Sequence, residues 1–329
     1  MNIAPTATAR AERQRSSVRH LPVNLFGAVM GLAGLSLAWR SANRVFGAPP
    51  AIGDAIGVIA IVTFLALAAG YLAKCSCYPH AVKAEFEHPV AGNFFGTITI
   101  AILLLSAVLG RYSEVLGEVV WVCGTLLTVV LTVVAAGRLL RGRVDPAHAA
   151  PPWLISGVAT LDIAVTGGTM SMAWAHEVNL FGLAAGTMMA LVFFTMIFSR
   201  VVHHAPLPAA MVPSLIVMIA PFEVGFLAYV GVTRTVDMFA GLLFYAGLFL
   251  FIALSPKVFR RDVPFATSWW AVGFPMSALS CAALQYAEHA HTLGLTVVAG
   301  VILFLVTAVL TVLSARTLHW LFTHRLLVA

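Results

Sequence analysis

FATSWWAVGFPMSALSCAALQYAE, residues 265–288, is the stretch whose reading decides the fold. It is long enough to cross a bilayer, because a span needs about 20 mostly apolar residues. It follows a basic loop, Lys257 to Arg261, and places Gly273, Phe274 and Pro275 side by side near its middle. Pro275 has no N–H, so the carbonyl of Ala271 loses its helical partner and a kink is predicted there. Gly273 leaves room for a neighbouring backbone. Phe274 lies about ten residues beyond Pro264, which at 1.5 Å per residue is roughly 15 Å, half the hydrocarbon thickness. A broken helix with a large aromatic at mid-depth points to a permeation path.

The rest of the chain agrees. Of 329 residues, 60% are hydrophobic and only 10% charged, and the mean hydropathy is +0.96. That composition belongs to polytopic membrane proteins and excludes soluble, disordered and collagen-like classes. The net charge of +6 is no nucleic-acid footprint, since the basic residues sit in short loops and an N-terminal tail. Ten apolar spans are predicted at 21–42, 51–73, 89–110, 115–137, 152–173, 178–199, 209–231, 236–256, 265–287 and 294–315. Residues 1–20 and 316–329 are read as tails and 21–315 as one transmembrane domain. Arg10, Arg13, Arg15 and Arg19 precede the first span, which is too long for a signal h-region and is read as retained.

Of the 19 Lys and Arg, all but Arg40, Arg44, Arg111 and Arg234 fall on the N-terminal side of the spans. This bias places both termini in the cytoplasm. The odd spans carry the prolines: Pro22, Pro89, Pro152, Pro213 with Pro221, and Pro275, the successive ones from Pro22 through Pro213 to Pro275 being 61 to 67 residues apart. A near-constant period marks repeated units, here five helical hairpins with proline-bearing helices inside and plain ones outside. Pro221 and Pro275 are read as too deep for the ordinary first-turn use of proline.

Several stretches resemble the slow-type anion channel / tellurite-resistance and C4-dicarboxylate transporter family. LPVNLFGAVMGLAGLSLAWR (21–40) is similar to its opening helix, and YPHAVKAEFEHPV (78–90) to its linker before the third helix, with Pro79, His80, Glu85, His88 and Pro89 in place. Ala220-Pro221 resembles the alanine-proline of the seventh helix, and SWWAVGFP (268–275) the ninth-helix motif whose phenylalanine is the pore gate. The resemblance runs from Leu21 to about His289. It implies an all-α integral membrane fold, ten helices around a central pore, Phe274 as the gate, a homotrimer, and small anions as the permeant species. The pore-lining candidates are Gly273, Pro275, Asp162, Glu223, Pro221, Phe222, Phe26 and Phe95, with Arg40 at the outer mouth; at Asp162 and Glu223 the chain departs from the neutral polar or small residues common in the family.

Two acids lie within spans, Asp162 in the fifth and Glu223 in the seventh. Intramembrane ionisable residues are functional candidates. By rise per residue they share a level with Phe274, so all three are placed in one layer of the pore. An ionised carboxylate there would repel an anion and be costly to desolvate, so a protonated acid donating a hydrogen bond to the passing ion is expected. The acids also admit a second reading, proton-coupled transport of C4-dicarboxylate, sulfite or tellurite-type anions. No Lys or Arg sits mid-span. The eleven histidines lie at span ends, in loops or in tails, which excludes a membrane haem. Cys75 and Cys77 form the only close cysteine pair and lack further ligands, so neither metal nor cofactor is expected. Without a catalytic constellation, an enzyme is disfavoured. The leading reading is an anion channel of the inner (plasma) membrane.

Overall fold

The computed structural model describes residues 17–142, 145, 148–323 and 325–327. Of the expected N-terminal tail only Ser17–His20 is among them, and positions 324, 328 and 329 of the expected C-terminal tail lie outside them. The described residues form helices and turns, with no strand among them. The α-helices are α1 (Phe26–Phe46), α2 (Pro50–Cys77), α3 (Pro79–Glu87), α4 (Gly96–Gly110), α5 (Glu114–Leu140), α6 (Trp153–Val158), α7 (Leu161–Gly167), α8 (Ala175–His203), α9 (Ala220–Thr233), α10 (Met238–Val258), α11 (Gly273–Ala290) and α12 (Leu293–Phe322). The last runs past the predicted boundary at 315. Eight stretches among the described residues are long and apolar enough to cross a membrane. The other two expected positions, 152–173 and 265–287, are built of shorter pieces: α6 with α7, and a 3-10 segment Thr267–Val272 with α11.

The stretches fall into two groups by burial. The inner stretches Val23–Phe46, Ala91–Gly110 and Ala209–Thr233 are 72, 67 and 67% buried, against 17, 28, 33, 22 and 28% for α2, α5, α8, α10 and α12. Contacts join each inner helix to the outer one after it: α1 to α2, α4 to α5, α7 to α8, α9 to α10, α11 to α12. They also close a ring of inner helices, α1–α4–α7–α9–α11 and back to α1. The outer helices turn Val, Leu and Phe side chains such as Leu126, Val130, Leu242 and Phe304 outward. In a bilayer these meet acyl chains, where an exposed apolar side chain costs nothing.

The ring closes tightly because small residues line its seams. Along α1, Gly27, Gly31 and Gly34 face Trp270, Gly273 and Ser277. A Cβ on Gly31 would sit 3.2 Å from the Cα of Gly273, and Ser277 Oγ donates across the seam to the Gly31 carbonyl at 3.0 Å. This is small-residue packing as used between membrane helices. A Cβ on Gly34 would lie 2.7 Å from Ser277 Cβ, inside contact distance. Gly34→Ala is therefore expected to lower stability in detergent by about 1–3 kcal/mol, the cost of overpacking. Gly137, in α5, has nothing within 4 Å of that position. Gly137→Ala is expected to raise stability by roughly 0.5–1 kcal/mol through helix propensity alone. Paired thermal melts of the two variants check both signs.

Four of the five inner positions begin as 3-10 helix: Val23–Leu25, Ala91–Phe95, Ala209–Ile219 and Thr267–Val272. Runs beyond a few residues are uncommon because the hydrogen-bond geometry is poorer, so the eleven residues of Ala209–Ile219 stand out. The switch to α-helix comes at Ala220 and at Gly273, placing Pro221 second and Pro275 third in α9 and α11. Both prolines thus occupy the first turn of an α-helix, where the missing N–H is free anyway. The expectation that they lie too deep for that position is corrected: the helix itself starts deep. In the fifth position the ladder breaks at Ala159–Thr160, between α6 and α7.

The linker helix α3 is pinned by a buried cluster. Lys74 Nζ donates to Glu85 Oε2 at 2.6 Å and to the Leu21 carbonyl at 2.8 Å. Tyr71 Oη donates to the same carboxylate at 2.9 Å, and Glu85 Oε1 accepts from the Val23 N–H at 2.9 Å. The last contact caps the 3-10 turn that opens the first inner stretch, so the linker fixes where that stretch starts.

Candidate functional site

Two cavities lie inside the ring. The first is about 20 Å³, space for roughly one water, and all five inner positions wall it: Asn24 and Gly27, Phe94 and Thr97, Ile155 and Val158, Val217 and Ala220, Trp270 and Ala271. These are residues of the N-terminal halves. The second is about 150 Å³ and uses the C-terminal halves: Gly34 and Ser41, Leu104, Asp162 and Val165, Val224 and Leu227, Ala278 and Cys281. Phe274 lines both. It is 6% exposed and belongs to the first turn of α11, held in place by the Gly273–Gly31 contact behind it. Phe274 is thus common to the walls of both cavities. A third cavity of about 370 Å³ shares Val165 and Leu227 with the second and adds Gly168, Thr169, Arg234 and Gln285.

The walls of the first two cavities are mostly apolar. The polar groups that face the first are Asn24, whose amide donates to Thr267 Oγ1 at 3.1 Å, and Thr97, whose hydroxyl is spent on the Phe94 carbonyl at 2.6 Å. In the second, Asp162 is fully buried, and neither carboxylate oxygen has a hydrogen-bond partner among the described residues. A buried acid without partners is costly when charged, so this carboxyl is available to whatever occupies the cavity.

The predicted layer of three separates. Asp162 and Phe274 line one cavity, but Glu223 turns outward. A Cβ on Gly247 of α10 would fall 2.1 Å from Glu223 Oε1, so this carboxyl packs into the seam between α9 and α10. It too is fully buried and unpartnered. Its expected place in the pore layer is corrected: its neighbour Val224 lines the cavity instead. Three aromatics are likewise corrected. Phe26 packs edge-on against Phe64 and Tyr71 of α2. Phe95 meets Tyr71 and Phe86. Phe222 packs against Phe194 of α8. Gly27, Phe94 and Ala220 hold the lining positions near them. Pro275 lines the first cavity, whereas Gly273 serves the α1–α11 seam. Pro221 sets the start of α9.

Arg40 is not a free cation at a mouth. Its guanidinium pairs with Asp54 at 3.0 Å and reaches the Ala107 and Val108 carbonyls at 3.4 Å, tying α1, α2 and α4 together. The cation beside the third cavity is Arg234, which sequence reading counted only for topology.

The cavity walls predict thiol accessibility. Thr97→Cys and Ala278→Cys, facing the interior, are expected to react with small water-soluble thiol reagents. Ser36→Cys is not, because Ser36 is buried with its hydroxyl on the Gly53 carbonyl of α2 at 2.7 Å. Val130→Cys, on the outward face of α5, is expected to stay unlabelled by membrane-impermeant reagent. The background thiols Cys75, Cys77, Cys123 and Cys281 are removed first, and mass spectrometry counts the adducts.

The sequence profile of the SLAC1 family, described as voltage-dependent anion channels, matches residues 20–318. The chain belongs to this family. It is 25% identical over 92% of its length to the S-type anion channel SLAH3 of Arabidopsis thaliana, covering 49% of that protein. It is 26% identical over 93% of its length to the guard cell S-type anion channel SLAC1 of the same plant, covering 57%. A tellurite resistance protein TehA homolog of Haemophilus influenzae is 24% identical, with 81% of each chain covered. The chain thus spans about half the length of the first plant relatives it matches. SLAC1 membership and the apolar helices make it a multi-pass membrane protein.

Proposed function

We propose that this chain conducts small anions through the interior of its five-helix ring and that Phe274 closes the path. The observation that carries the reading is that one side chain, Phe274, walls both interior cavities. On one side of it lies an apolar space for a single water, and an apolar constriction of that size opposes ion passage by dewetting. An anion that does pass meets no fixed positive charge at mid-depth, so hydroxyls, amide dipoles and residual water compensate its lost hydration. Such weak coordination suits throughput over tight selection. The resemblance in sequence supports a homotrimer, and the distribution of Lys and Arg supports cytoplasmic termini in the inner (plasma) membrane.

Asp162 favours a second reading. An unpartnered acid inside the second cavity can carry a proton along with an oxyanion or dicarboxylate, which would make the protein a proton-coupled transporter. Reconstitution into planar bilayers separates the two. Current that follows an imposed chloride or nitrate gradient at equal pH supports the channel. Flux that requires a pH gradient supports coupling. Absence of both in Phe274→Ala as well as in the wild type removes the proposal.

A further inference from the structure

We infer that Arg234 forms an anion-binding subsite at the outer end of the path, loading the ion before it reaches Asp162 and Phe274. This rests on the reading of the ring interior as an anion path. Three independent observations carry it. First, position: Arg234 lines the 370 Å³ cavity together with Gly168, Thr169 and Gln285, and that cavity shares Val165 and Leu227 with the one holding Asp162. The cavity beside the guanidinium is therefore the immediate neighbour of the interior one.

Second, backbone. Arg234 ends α9 in the left-handed region, φ 60° and ψ 17°. Glycine is the usual residue at such a helix end, because a Cβ is strained there. A long cationic side chain kept in that conformation points to a use for the side chain. The conformation turns the chain back over Gly231, and the guanidinium donates to the Gly168 carbonyl at the end of α7. One contact fixes the head group and leaves its other N–H donors for a ligand.

Third, charge. Among the described residues no carboxylate lies within 4.0 Å of Arg234, whereas Arg40, Arg44 and Arg111 on the same side all pair with acids. Asp237, the nearest acid in sequence, is engaged elsewhere. The Tyr229 hydroxyl, at 2.7 Å, and the Ala240 N–H, at 3.0 Å, donate to it and hold its carboxyl below the usual carboxylate range. The ligand class is a small monovalent anion or the terminal oxygens of an oxyanion, taken by the guanidinium fork, with Gln285 and Thr169, whose hydroxyl donates to the Thr166 carbonyl at 3.4 Å, lining the same cavity.

The test uses full-length protein in planar bilayers, with chloride as the probe. Outer chloride is varied at constant ionic strength while inner chloride is fixed, and the series is repeated from the other face. Arg234→Gln is expected to raise the half-saturating outer chloride roughly tenfold, the loss of about one charge-assisted hydrogen bond, with little change from the inner face. Arg234→Lys retains most of the wild-type value. Because Arg234 also braces Gly168, Arg234→Cys in a background without other thiols provides a second arm. A cationic thiol reagent restores outer affinity and an anionic one lowers it further. Equal half-saturation in wild type and Arg234→Gln, or equal effects of the two reagents, would overturn the inference. The series is run in wild type and in Phe274→Ala, and passage of no chloride from either face in Phe274→Ala would instead remove the path reading on which it rests.

Discussion

Phe274→Ala is expected to raise anion conductance by an order of magnitude or more, equivalent to lifting about 1.4 kcal/mol or more from the barrier. Phe274 is shared by the walls of a cavity of about 20 Å³ and one of about 150 Å³. Truncation merges them, and water can fill the joined space where Asn24, Ser41 and Asp162 offer polar wall. A fully packed core phenylalanine costs about 3–5 kcal/mol on truncation. Phe274 already borders open space on two sides, so its loss is expected to fall at or below the low end. Phe274→Leu keeps part of the plug and is expected to raise conductance less. Currents normalised to the amount of folded protein, together with thermal melts, check both parts. A loss of stability without added current would place Phe274 in the packing rather than the path.

Asp162→Asn and Glu223→Gln are expected to behave differently. Asp162 lines the interior, and Glu223 packs against Gly247. On the proposed path a protonated Asp162 carboxyl would donate a hydrogen bond to a passing anion, and the ionised form would repel it. Rising pH favours the ionised form, so wild-type flux is expected to fall as pH rises. Asp162→Asn retains a donor and cannot ionise, so flux persists and the pH response flattens. Glu223→Gln leaves the interior unchanged and keeps the wild-type profile. Anion flux from proteoliposomes at stepped pH measures this. A flattened profile in Glu223→Gln with an unchanged one in Asp162→Asn would reverse the two assignments.

The division into inner and outer helices was legible in the sequence because proline and glycine concentrate where backbones approach each other. Pro22, Pro89, Pro152, Pro213 and Pro275 mark the five positions that form the ring, and Gly31 and Gly273 meet at its tightest seam. Phe274 stood out for the same reason, flanked by the two residues that break regularity. The facing of the other candidates was not legible. Each 3-10 residue turns the chain by about 120°, against 100° in an α-helix. Over Ala209–Ile219 the difference accumulates to roughly 220°, which reverses the face on which Phe222 and Glu223 emerge. Shorter 3-10 runs precede Phe26 and include Phe95, and both point outward. Arg40 and Arg234 could not be ranked from sequence either. Asp54, which neutralises Arg40, lies on the neighbouring helix α2, and the cavity beside Arg234 exists only once α7 and α9 are packed.

The central claim is that anions cross the ring interior past Phe274. Its most direct test is the zero-current potential of purified Phe274→Ala in a planar bilayer under a tenfold chloride gradient, with pH equal on both sides. The account predicts a current larger than wild type that reverses near the chloride equilibrium potential. Reversal near zero or at the cation equilibrium potential, or a current no larger than wild type at equal protein, would contradict it.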